Sequence, residues 1–145
     1  MDSRVESFLL GKSLKLSLRY LGYSVILMTL FFGQLYFTGN FGMANSSSLL
    51  MSPVGVTVSA IILSGIQAYR NDGILVSVAV AIIIMSGYTL YGVTSLSHPK
   101  PDYGLLTGVG TAIVYGTPVG ITTSAIVSVV RRVVPIFSPT ASKKD

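Results

Sequence analysis

Long uncharged apolar runs alternate with short polar or basic segments along this chain. The runs cover about residues 18–37, 49–69, 74–96 and 104–130. Bridging the hydrocarbon of a bilayer takes ~20 residues of helix, and each run reaches that length. The third is rich in β-branched residues (Val76, Val78, Val80, Ile82, Ile83, Ile84), which in water would suggest a strand. In lipid the backbone must bond to itself, so a run of this kind is still a helix. It also lacks the alternation of a closed barrel. The pattern therefore predicts an all-α fold: an integral membrane four-helix bundle. The fourth run has 27 residues, more than a span needs, so it tilts, kinks at Pro118 or projects beyond the bilayer.

The breaks between runs carry ordinary turn chemistry. Residues 39–48 form an uncharged loop; Asn45-Ser46-Ser47 within it fits a glycosylation sequon, although Asn and Ser also cap helices. Pro53 falls near the start of the second run, where a helix tolerates it. Arg70-Asn71-Asp72-Gly73 reads as a tight turn. Pro99 and Pro101 stiffen the connection over 97–102. Residues 1–17 form a basic segment, read either as a short surface helix or as a loose tail, and 131–145 a second basic tail. Basic residues ahead of an apolar run also mark signal peptides, but this run is longer than a usual signal core. Arg19, Tyr20 and Tyr23 at one end of it, with Tyr36, Phe37 and Phe41 at the other, resemble the aromatic belts of a true span.

Charge orients the bundle. With the N-terminus inside, nine Lys and Arg fall on the inner side (Arg4, Lys12, Lys15, Arg19, Arg70, Arg131, Arg132, Lys143, Lys144) and only Lys100 on the outer. This positive-inside bias predicts both termini in the cytoplasm, with Arg19, Arg70, Arg131 and Arg132 as orienting residues of a multi-pass cell-membrane protein. It also accounts for the net charge of +5: the basic groups face lipid headgroups, and nucleic acid need not be invoked. Only 10% of the residues are charged, against about a quarter in soluble domains. With no Cys and one His, thiolate chemistry and a multi-His metal site are excluded within the chain.

Small residues recur every fourth position on the last run: Gly104, Gly108, Ala112, Gly116, Gly120, Ser124 and Ser128. Such rows let another helix's backbone come close, a main source of attraction in lipid. Ser52–Ile61 and Thr117–Ile126 match at seven of ten positions, which raises a two-plus-two parallel hairpin repeat, with Pro53 and Pro118 as equivalent kink sites. Chance within a restricted alphabet is the competing account.

Chemistry is sparse. No ionisable residue falls deep in a span, which argues against a proton path. Gln34 and Gln67 read as interhelical glue, and His98 as a solvated loop residue. Tyr88, Tyr91 and Tyr115 suggest either packing or a face for a flat apolar ligand such as a quinone. No catalytic residue, metal site or cofactor is assigned. The leading functional reading is an accessory or assembly subunit of a larger membrane complex, acting by helix packing with membrane-protein partners or with itself. The alternatives are a small dimeric transporter or channel for a neutral or apolar solute, a quinone-associated redox component, and a membrane toxin or immunity factor.

Overall fold

A computed structural model describes residues 9–38, 52–94 and 104–133. The sequon at Asn45, the loop holding His98 and the two chain ends lie outside these residues. Within them the fold is all-α, with α1 (Leu14–Thr38), α2 (Pro53–Asn71), α3 (Ile74–Thr94) and α4 (Leu105–Val133). Three helices, α1, α3 and α4, are long and apolar enough to cross a membrane. At 19 residues, α2 is about 28 Å long.

The helix ends follow local chemistry. Ser52 caps α2, its hydroxyl accepting from Gly55 N–H at 3.1 Å, and Pro53 sits at the first helical position, where it gives up no bond. Asp72 closes the same helix in the left-handed region (φ 55°), its N–H donating to the Ala68 carbonyl at 3.1 Å. The sequence pattern ends the fourth run at Val130, but α4 continues to Val133 and carries Arg131 and Arg132 in its last turn. Cations there are favoured by the exposed carbonyls of a helix C-terminus. Pro118 lies inside α4 without ending it.

The centre of the bundle is α3, which packs against all three other helices, most extensively against α4. It is apolar almost all round, as a helix enclosed by neighbours must be. The core joins Val80, Ala81, Ile84 and Met85 of α3 to Tyr20 and Phe31 of α1, Val56 and Ala60 of α2, and Ala112 of α4. Large apolar side chains also point outward, with Phe37 88% and Leu106 89% exposed. An outer surface this apolar suits lipid rather than water.

Glycines set the helix crossings. A Cβ on Gly120 would lie 2.5 Å from Val78 Cα, and one on Gly116 2.7 Å from Ile82 Cα, so α4 meets α3 backbone to backbone. On the far side of α3, a Cβ on Gly87 would lie 2.6 Å from the Met28 carbonyl oxygen of α1. The short segment match places a buried glycine in both helices, Gly55 and Gly120. After it the faces diverge: Val56 and Ala60 are buried, whereas their counterparts Ile121 and Ala125 are exposed.

Candidate functional site

The charged groups of the described residues gather at one end, where α1 and α3 begin and α2 and α4 finish. The turn after α2 builds it. Asn71 is fully buried. Its Oδ1 accepts from Ser13 N–H at 2.8 Å, its Nδ2 donates to Ser17 Oγ at 2.7 Å, and its carbonyl accepts from Lys12 N–H at 2.8 Å. Ser17 Oγ donates in turn to the Leu10 carbonyl at 2.8 Å. Gly11 has φ +90°, and a Cβ there would meet the Asn71 carbonyl oxygen at 2.6 Å. The lead into α1 is thus stapled to the α2–α3 turn by one amide side chain.

Asp72 extends the staple to α4. Its carboxylate pairs with Lys12 Nζ at 2.5 Å and with the Arg131 guanidinium. Arg131 also lies over the Tyr69 ring, 5.5 Å from its centroid. Lys12 is 62% exposed, so each pair is screened and contributes under about 1 kcal/mol; the effect is to align three chain segments.

Deeper in the bundle, Gln67, Ser64 and Ser77 are fully buried. The Ser77 hydroxyl donates to Gln67 Oε1, joining α2 to α3. Gln67 therefore serves as the interhelical contact its residue type suggests, and it does so inside the bundle. Its Nε2 and the Ser124 hydroxyl are buried without a hydrogen-bond partner among the described residues.

Ser124 lines a cleft of about 280 Å³ between α2, α3 and α4, shared with Ala68, Asp72, Ile74, Ala125, Ser128, Val129 and Arg132. Its walls are largely apolar, and its mouth carries the charged groups of the two helix ends.

The residues singled out by pattern distribute as follows. Gly108, Ala112, Gly116, Gly120 and Ser124 are buried, and Gly104 and Ser128 are exposed. Gly108 faces the Leu90 and Val93 side chains of α3. The middle of the row is thus occupied by this chain's own α3. Pro53 opens α2, and Pro118 is exposed on α4. Arg131 joins the staple, while Arg19, Arg70 and Arg132 are exposed. The tyrosines do not converge: Tyr91 is buried with its ring edge-on to Phe32 of α1 at 6.3 Å, whereas Tyr115 is 62% exposed on α4. Pattern reading missed Gly87, Asn71 and Ser17. Comparison with protein-family models, curated proteins and solved structures finds no match for the chain.

Proposed function

We propose that this chain acts by helix packing, as an accessory or assembly subunit of a larger membrane complex. In this reading all four helices cross the bilayer, the basic end lies at the cytoplasmic face, and the outward side of α1 receives a partner helix. The observation that carries it is a contrast among the glycines. Gly116 and Gly120 of α4 are filled by the backbone of α3. Gly22 and Gly33, three turns apart on α1, have nothing within 4 Å of an added Cβ, as is also true of Gly104 and Gly110. Exposed Ile26 and Leu30 lie between them. Shallow notches flanked by apolar side chains are what close helix association in lipid uses.

The test is gentle extraction into nanodiscs, with the mass of the particle measured and the co-purifying chains identified. The expected result is a reproducible larger complex, lost in Gly22→Leu and Gly33→Leu although both variants keep the folded bundle. An unchanged complex in both variants overturns the reading. So does a chain that extracts alone or only with copies of itself; flux assays in liposomes then test the transporter alternative.

A further inference from the structure

We infer that the cleft between α2, α3 and α4 at the basic end binds the phosphate and glycerol region of an anionic phospholipid. The inference goes beyond the subunit reading and does not depend on it. Three groups on α4 carry it. Ser124, Ser128 and Arg132 are spaced by four residues and all line the cleft, so one face of the helix rises from a hydroxyl at the floor to a guanidinium at the mouth. At 1.5 Å per residue the ladder spans about 12 Å.

The floor is built for a polar guest. Ser124 is 5% exposed, and its Oγ has no hydrogen-bond partner among the described residues. A buried hydroxyl is nearly always satisfied by protein, water or ligand. Around it, Ala68, Ile74, Ala125 and Val129 supply apolar walls. The mouth is built for an anion. Arg132 is exposed and has no carboxylate partner among the described residues, while its neighbour Arg131 is held by Asp72. Asp72 also borders the cleft, but Lys12 and Arg131 both pair with its carboxylate, leaving the mouth net positive. A guanidinium presents a donor fork that matches phosphate oxygens. Basic pockets between helices on the cytoplasmic side are suited to anionic headgroups. The volume admits a headgroup and glycerol; the acyl chains would lie along the apolar outer face of α4.

The experiment uses the full chain, purified in neutral detergent and stripped of lipid. Short-chain phosphatidylglycerol, phosphatidylcholine with the same tails, and inorganic phosphate are titrated while thermal unfolding and native mass are followed. Phosphatidylglycerol is expected to raise the unfolding temperature saturably and to bind about tenfold more tightly than phosphatidylcholine, which offers the same phosphate but brings a choline cation against the basic mouth. Arg132→Gln should lose about that tenfold. Ser124→Ala should weaken binding several-fold without lowering the unfolding temperature of the lipid-free protein, because its hydroxyl gives up no bond. Arg19→Gln, at an exposed cation on α1, should bind as the parent does. The proposal is overturned by equal binding of phosphatidylcholine, by a full response to inorganic phosphate alone, or by loss in Arg19→Gln matching that in Arg132→Gln. Parent-like binding in both Arg132→Gln and Ser124→Ala overturns it as well.

Discussion

The two helices that flank α3 on opposite sides are held in different ways. α4 lies against α3 along a row of small residues, with Gly116 and Gly120 giving backbone contact at Ile82 and Val78. α1 has a single such contact, Met28 at Gly87, and a polar anchor at its start through Ser13, Ser17 and Asn71. Close backbone packing gains dispersion along a whole interface, whereas a buried amide gains a few directed bonds at one point. One neighbour is held by backbone contact at successive turns, and the other by one backbone contact, by buried side chains such as Tyr20 and Phe31, and by a polar anchor at its start.

Substitutions can break this contrast or sharpen it. The largest effect is expected for Gly120→Ala. The added carbon would lie 2.5 Å from Val78 Cα, so the helices must separate, at a cost of about 3 kcal/mol in unfolding measured in mixed micelles. Parent-like stability would mean that the α3–α4 crossing is looser than described. Asn71→Ala removes both side-chain bonds to the lead of α1 and leaves Ser13 N–H without its acceptor, for about 2 kcal/mol. Hydrogen exchange should rise at the start of α1 and stay unchanged in α4; an equal rise in both would show that the anchor serves the whole bundle. Gly22→Ala, on the outward face, should raise stability by about 0.5 kcal/mol through the unfolded chain alone, opposite in sign to the same change at Gly120. Asp72→Asn keeps a residue type that tolerates the left-handed conformation and removes only charge. A loss of a few tenths of a kcal/mol that vanishes in high salt is expected.

The helices were legible in the sequence because length and lack of charge suffice to specify them. The break near 70–73 was legible from its composition, although α2 runs on through Arg70 and Asn71 and only Asp72 and Gly73 leave the helix. The side to which a small-residue row turns was not: spacing shows that a helix can come close, but not whether it belongs to the same chain. Gly87 gave no signal, since Ile83 and Tyr91 stand four residues to either side and no row runs through it. Asn71 read as a turn residue. Its role as a buried plug depends on Ser13, 58 residues earlier, a pairing that no local pattern encodes. The cleft was hidden for a similar reason, because Ser124 and Ser128 read as small packing residues until the neighbouring helix ends were placed beside them.

The distance between the two halves of the staple also orders events in time. Ribosomes add about 5 to 20 residues per second, so for roughly 3 to 12 s after Ser13 is made its acceptor does not yet exist. Arg131, the third member, follows Asp72 by a similar interval. During the first wait the start of α1 lacks the polar partner that later fixes it. The amide half of the latch can close once Asn71 has been made, and the Asp72–Arg131 half only once α4 is complete.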